Sequence, residues 1–174
     1  MKRRDVLAVL TFSLALTTLV GCPEPGGDLA DPPGTAPELA GYWQMQGDTA
    51  WVGCGYVDDT GDFVSLSDNN FVRTQLGVNT LEFDGVWKPS SFNGIPIEFA
   101  ATSEVTKTGD HVRLEAVITV RSFGVVLGYY NVISEGTLTA DTITGTTTEF
   151  TNLPGMAFDA PVTVDGVLVR GACD

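Results

Sequence analysis

Histidine is almost absent from this sequence, and its scarcity argues against whole classes of site. His111 is the only histidine, and it lies beside a predicted turn at residues 108–110. A catalytic triad would depend on this single imidazole, and zinc sites are built from clusters of Cys and His. No Ser or Cys lies in a recognisable nucleophile motif. We therefore predict that the protein is not an enzyme and holds no metal or cofactor.

The densest acidic loop, residues 58–62, is the one place where a metal deserves consideration. Carboxylates around a glycine turn can supply the oxygen ligands that calcium prefers. The spacing differs from that of the twelve-residue calcium loop, and the bidentate Glu of that loop is missing. A plain turn is the favoured interpretation.

Basic residues are scarce, with 9 Lys and Arg against 22 Asp and Glu and a formal net charge of −13. Nucleic-acid binding needs a basic surface that neutralises phosphates, so the composition argues against that partner. It also argues against adsorption to anionic lipid through charge. The acidity fits an exported domain that its charge keeps soluble.

The chain also lacks an apolar run long enough to span a bilayer as a helix. Residues 6–20 are apolar and uncharged, but these roughly 15 residues fall short of the ~20 that a spanning helix needs. Lys2, Arg3 and Arg4 precede the run, which is the pattern of a cleaved secretory signal. A short uncleaved membrane anchor is the alternative.

Leu19-Val20-Gly21-Cys22, at the end of the apolar run, resembles the lipobox of bacterial lipoproteins. In that family a diacylglyceryl group modifies the Cys sulfur, and cleavage leaves this Cys as the acylated N-terminus. The resemblance implies a signal peptide at residues 1–21, lipidation at Cys22 and a stable anchor of several acyl chains. Pro23 stands where an Asp would favour retention at the inner membrane, which implies the outer membrane of the cell envelope. The membrane is the expected partner, and the sequence identifies no protein partner.

If Cys22 carries the lipid, Cys54 and Cys173 are the two cysteines that remain. Disulfides persist in the oxidising compartments that exported proteins reach. We therefore expect a disulfide between Cys54 and Cys173, which would close a loop of about 120 residues. Two free thiols are the alternative.

Residues 22–38 contain five of the nine prolines and few apolar side chains. Pro-rich segments favour extended, semi-rigid conformations and build no core, so this segment is predicted to be a tether. Residues 39–174 have a length that is typical of one domain with one core.

Alternation of apolar and polar residues predicts β-strands throughout this domain. Residues 111–121 are the clearest case, because five apolar residues share one face: Val112, Leu114, Ala116, Ile118 and Val120. Residues 97–105 form a predicted hairpin with this strand, and residues 131–150 form another around Ala140-Asp141. Further strands are predicted at 41–47, 49–57, 62–67, 70–76, 79–88 and 162–171.

Eight to ten short strands joined by turns predict an all-β fold, for which a closed barrel and a β-sandwich are the options. Because hairpins that follow one another favour a meander, we predict an antiparallel up-and-down barrel. The sequence predicts no helix beyond a single turn at residues 37–40.

Gly41-Tyr42-Trp43 resembles the G-x-W that opens the first strand of lipocalins. In that family the Trp closes one end of the barrel, and an Arg from the last strand packs across it. Arg170 is in a position to play that part here. The resemblance covers two short stretches and implies a lipocalin-like barrel. Avidins and a family of small barrel-shaped protease inhibitors have similar openings.

A barrel of about eight strands can keep room for one small ligand among its inward side chains. Four large inward residues are the predicted ligand-binding residues: Trp43, Phe83, Phe99 and Leu114. Small inward residues on neighbouring strands would open an apolar pocket of roughly a few hundred Å³ beside them: Ala101, Ala116, Gly136 and Gly145.

Two functions follow from this fold. The first is binding of a small apolar ligand by a lipid-anchored envelope protein. The alternative is an interaction module, such as an inhibitor or scaffold, that acts through its loops and exterior without a ligand cavity. A large apolar cavity would favour the first, and a filled core with an exposed apolar patch would favour the second.

Overall fold

The structure is a computed structural model that describes residues 36–47, 52–155, 160–171 and Cys173. The predicted signal peptide, the lipidation site Cys22 and the tether up to residue 35 lie outside the described residues. Within the described part, neither helix has the length or the apolar character of a membrane-spanning segment.

Ten β-strands and two short helices follow one another along the described chain. A 3-10 helix, Pro37–Leu39, comes first. An α-helix, α1, spans Asn70–Gln75. The strands are β1 (Gly41–Gly47), β2 (Gly53–Val57), β3 (Phe63–Ser67), β4 (Thr80–Glu82), β5 (Lys88–Phe92), β6 (Ile95–Thr108), β7 (His111–Ser122), β8 (Val125–Thr139), β9 (Thr142–Thr151) and β10 (Val162–Arg170).

All ten strands belong to one antiparallel sheet with the order β4-β3-β2-β1-β10-β9-β8-β7-β6-β5. Strands that are consecutive in the chain from β5 to β10 are neighbours, and β10 pairs with β1. The sheet is therefore an up-and-down meander that curls into a barrel. This confirms the predicted fold class, and the sandwich of two sheets is not what forms.

The sheet curls far enough for its two edges to approach each other. At one edge of the sheet, β4 pairs with β3. Just after β4, Asp84 forms an isolated β-bridge with Thr102 of β6, near the other edge. The Ser103 hydroxyl of β6 also donates to the backbone oxygen of Phe63 in β3. The other edge strand, β5, pairs only with β6. The Ser90 hydroxyl of β5 donates a hydrogen bond to the backbone oxygen of Leu76, at the end of α1.

The inner face of the curled sheet carries the hydrophobic core. The five apolar residues of β7 that the alternation assigned to one face are all buried. The preceding strand β6 contributes four more buried apolar side chains, all on the same face of the strand: Ile97, Phe99, Ala101 and Val105. Period-two alternation therefore predicted the inner face correctly where one side of a strand is apolar.

A tryptophan and an arginine close one end of the barrel, which we call the Trp43 end. The indole Nε1 of buried Trp43 donates to Leu39 O at 2.7 Å. The Arg170 Cζ lies 4.5 Å from the centroid of the Trp43 ring, and the guanidinium donates to Ala40 O and Glu38 O at 2.7 Å each. The packing of Arg170 across Trp43 that the lipocalin resemblance implied is therefore present.

The chain before β1 packs against this closed end. Leu39 is buried, and so is Ala36, which the composition placed in the tether at residues 22–38. Lys107 of β6 forms an ion pair with Glu38 at 2.7 Å. The hydrogen bond from Lys107 lowers the pKa of the Glu38 carboxyl below its usual value.

Two predicted strands differ from the structure. Residues 70–76 were predicted to be a strand, and this was wrong, because residues 70–75 form α1. The Asn69 side chain accepts a hydrogen bond from Val72 N at 3.0 Å, which caps the first turn. Gly77, with φ of +67°, follows the helix as its terminating glycine. The strand predicted at 79–88 is broken between β4 and β5, where Gly85 adopts φ of +69°.

Cys54 of β2 and Cys173 form a disulfide across a sequence separation of 119 residues. This is the pairing that the sequence predicted. It ties the end of the chain to the second strand of the barrel. In the chain-entropy model, closing a loop of this order is worth up to about 4–5 kcal/mol.

Candidate functional site

Two apolar cavities at opposite ends of the barrel differ strongly in size. The cavity at the Trp43 end has a volume of about 40 Å³. The cavity at the other end has a volume of about 220 Å³, and we call it the apolar pocket. Its lining residues are Phe71, Gln75, Leu76, Phe92, Ile95, Ile97, Val120, Leu127, Leu153 and Pro154.

The structure places the four predicted ligand-binding residues outside the lining of the apolar pocket. Trp43 and Leu114 line the small cavity at the Trp43 end. Phe99 is buried in the core, and Phe83 is half-buried with its ring centroid 4.9 Å from that of Phe63. Their role in ligand binding stays a prediction.

A row of glycines crosses four neighbouring strands, and three of its members line the small cavity at the Trp43 end. Gly136 pairs with Gly145, Gly145 with Gly166, and Gly166 with Gly47 across four neighbouring strands. A Cβ added at Gly145 would lie only 1.8 Å from Glu135 O. Glycine allows backbones to approach this closely. At Gly136 and Gly145, two of the small residues that were expected to open a void, the structure has a close approach of β8 to β9.

Two tight hairpin turns position the mouth of the apolar pocket. Asn93-Gly94 joins β5 to β6, and Phe123-Gly124 joins β7 to β8, with positive φ at all four residues. Positive φ at both central residues is typical of type I′ turns. Because both hairpins turn at the same end of the barrel, Phe92 and Ile95 come together with Leu127 at the pocket.

The helix α1 forms one wall of the pocket and is held in place by contacts with the barrel. The Phe71 ring packs on the Tyr130 ring with centroids 4.4 Å apart. The Tyr130 hydroxyl in turn donates to the buried carboxylate of Glu149 at 2.5 Å. At the start of the helix, Asn69 Nδ2 donates to Val52 O at 2.9 Å. These contacts make α1 a preformed part of the pocket.

An ion pair on the outer face of the barrel joins the chain neighbours of two residues that line the pocket, Ile97 and Val120. Arg121 donates from Nε and Nη2 to the Glu98 carboxylate at 2.8 and 3.1 Å, and its Cζ lies 3.9 Å from the Trp87 ring centroid. The hydrogen bonds from Arg121 lower the pKa of the Glu98 carboxyl below its usual value. Neither Arg121 nor Glu98 lines the pocket, which keeps an uncharged wall.

The acidic loop at residues 58–62 folds as a turn. Asp58 Oδ1 accepts hydrogen bonds from Thr60 N, Thr60 Oγ1 and Asp62 N at 2.9, 2.6 and 3.1 Å. The hydrogen bond that the Thr60 side chain donates is the main reason why the pKa of Asp58 lies below its usual value. In the part of the chain that the structure describes, no group of three or more His, Cys, Asp or Glu residues is placed to hold a metal ion.

Comparison of the chain with protein-family models, curated proteins and solved structures finds no match. The resemblances to the lipobox and to lipocalins therefore rest on short sequence motifs. What the protein binds is therefore inferred from the chemistry of its own apolar pocket and from the surface around it.

Proposed function

We propose that this protein is a lipid-anchored protein of the cell envelope that binds a small apolar ligand in the apolar pocket. The pocket is the observation that supports the proposal, because nine of its ten lining residues are apolar and its volume is about 220 Å³. For comparison, an engineered apolar cavity of about 150 Å³ binds benzene. The pocket is therefore large enough for a ring or a short alkyl chain.

The lining residues define the chemistry of the ligand. No charged side chain lines the pocket, and Gln75 supplies its one polar side chain. A buried charge without a partner would cost several kcal/mol, so the part of the ligand inside the pocket is uncharged. A polar end of the ligand would lie at the mouth, near Gln75. Each buried CH2 group contributes about 0.8 kcal/mol to binding.

The proposal is a binding protein and not an enzyme. The residues that line the pocket include no carboxylate, imidazole, thiol or amine. His111 is exposed at the first residue of β7, which places it at the opposite, Trp43 end of the barrel. The alternative function, an interaction module without a ligand, would leave the pocket without affinity for apolar molecules.

An apolar fluorescent probe tests ligand binding. We expect saturable binding to the full chain, and we expect Val120→Phe to weaken it by about tenfold or more because the added ring fills the pocket. Val86→Phe is the matched control, since Val86 is exposed and lies outside the pocket lining. Thermal unfolding should show that both variants are folded.

Equal binding by the two variants would contradict the proposed site. Any probe that binds to the N-terminal segment does so in both variants, so the difference between them reports on the pocket alone. Absence of saturable binding to the unsubstituted chain would favour the interaction module.

A further inference from the structure

The mouth of the apolar pocket continues into an exposed apolar surface, which we call the apolar rim. It consists of Ile95, Phe123, Val125, Val126 and Leu127. Phe123, at the tip of the β7–β8 hairpin, is 85% exposed, and Val125 and Val126 are 65% and 58% exposed. Clustered apolar side chains at such exposure mark an interaction surface.

Charge is distributed very unevenly between the two ends of the barrel. The elements and turns of the pocket end contain a single charged residue, Arg73, in the described segments 70–79, 89–97, 122–134, 150–155 and 160–164. Among the described residues, four carboxylates are adjacent to these segments in the chain, Glu98, Glu135, Glu149 and Asp165, and exposed Asp68 lies two residues before the first segment. The Trp43 end, in contrast, carries six acidic residues in its turns and its 3-10 helix: Glu38, Asp58, Asp59, Asp62, Asp110 and Asp141. Of these, Glu38 is paired with Lys107 and Asp141 with Arg170, and the other four give this end a net negative charge.

We propose that the apolar rim docks onto the surface of a lipid bilayer, with the pocket end facing the membrane. Anionic headgroups would repel the acidic Trp43 end more strongly than the pocket end, whose turns carry fewer carboxylates. Apolar side chains gain free energy when they enter the boundary between headgroups and acyl chains. This proposal goes beyond ligand binding and holds whether or not the pocket is filled.

The shape of the rim favours a bilayer over a second copy of the chain. Phe123-Gly124 forms the tip of a hairpin, and three further rim residues, Val125, Val126 and Leu127, follow directly on β8. A tip is convex, whereas a stable dimer needs a matched face of about 800 Å² on each partner. A fluid bilayer accommodates a convex apolar tip without a matching surface.

The chain before the barrel is long enough to permit this orientation. The described chain starts at Ala36 on the Trp43 end, fourteen residues after Cys22. Fourteen residues in an extended Pro-rich conformation would reach roughly 43 Å. The twelve residues of β7 rise roughly 40 Å along the strand, and tilt shortens this along the barrel axis. A chain anchored at Cys22 can therefore place the far end of its barrel on the same membrane.

Depth-dependent quenching tests the proposal. The full chain with Phe123→Trp is mixed with phosphatidylcholine vesicles whose acyl chains are brominated, and the emission above that of the unsubstituted chain is measured. Val86→Trp is the matched control, because Val86 is 56% exposed but lies on the segment between β4 and β5 and not on the rim. Both variants share the same N-terminal segment, so attachment through it is common to both.

We expect bromine to quench the indole at position 123 at least about threefold more than the indole at position 86. Because the rim is uncharged, this difference should persist at high salt, where electrostatic adsorption is screened. Equal quenching at the two positions would overturn the proposal. So would protection from a soluble quencher without quenching by bromine, together with dimers in sedimentation, since that result identifies a second copy as the occupant.

This test is separable from the ligand-binding test. Phe123 does not line the apolar pocket, so Phe123→Trp should leave the affinity for the apolar probe unchanged. A protein that binds the probe but shows no selective quenching would lose the bilayer proposal alone. Selective quenching without probe binding would support docking and contradict the proposed ligand site.

Discussion

Replacing Gly145 with Ala should lower the free energy of unfolding by about 3 kcal/mol or more, at the upper end of what overpacking costs. The added Cβ would lie 1.8 Å from Glu135 O and 2.5 Å from Gly136 Cα. Both are backbone atoms of β8, which pairs with β9 at this point. Relieving the contact requires the two strands to separate, so their hydrogen bonds are lost as well.

Gly166→Ala is the matched control from the same row of glycines. Its added Cβ would meet the Thr147 hydroxyl at 3.4 Å and Gln46 O at 3.7 Å, which is ordinary contact. We expect this variant to change stability by about 1 kcal/mol or less. Urea unfolding of both variants measures the difference. Equal losses would show that the close approach of β8 to β9 is not what the barrel requires of Gly145.

Replacing Cys22 with Ser should abolish lipidation at this position and the normal processing that depends on it. In the lipoproteins that the lipobox resembles, the Cys sulfur accepts the diacylglyceryl group before cleavage. Serine removes that sulfur, so we expect an uncut precursor or a protein in the soluble fraction. Membrane fractionation and the apparent mass of the chain measure both outcomes.

Cys54→Ser is the matched control for this prediction. It makes the same chemical change but breaks the disulfide with Cys173 and leaves the lipobox intact. We expect it to remain in the membrane fraction, with reduced stability. Normal processing and fractionation of the Cys22→Ser variant would contradict the lipobox interpretation.

The sequence predicted those parts of the fold that local patterns encode. In β7 every second residue is apolar over ten positions, and a half-buried strand is the structure that buries this pattern. The G-x-W resemblance likewise led to the contact between Trp43 and Arg170. In β9 the pattern was less informative, because buried Thr147, Glu149 and Thr151 occupy its inner face. Polar inward residues make such a strand look solvent-facing on both sides.

The position of the pocket depends on information that no single segment contains. Gly136 and Gly145 look like sources of empty space until pairing sets them opposite each other. The pocket itself needs α1, whose six residues are too few to show a helical period. One local signal was available. Asn93-Gly94 is a strong hairpin dipeptide, and together with the apolar run 123–127 it marks the end of the barrel at which the pocket lies.

Calorimetric titration with straight-chain alcohols of increasing length tests ligand binding in the apolar pocket most directly. Each CH2 group contributes about 0.8 kcal/mol, which corresponds to roughly a fourfold change in Kd. We predict that Kd falls by about this factor per CH2 until the chain fills the pocket of about 220 Å³ and then levels off. Val120→Phe should move the levelling-off to a shorter alcohol. Absence of saturable binding at every length, or an affinity that rises with length without limit in both proteins, would contradict the account.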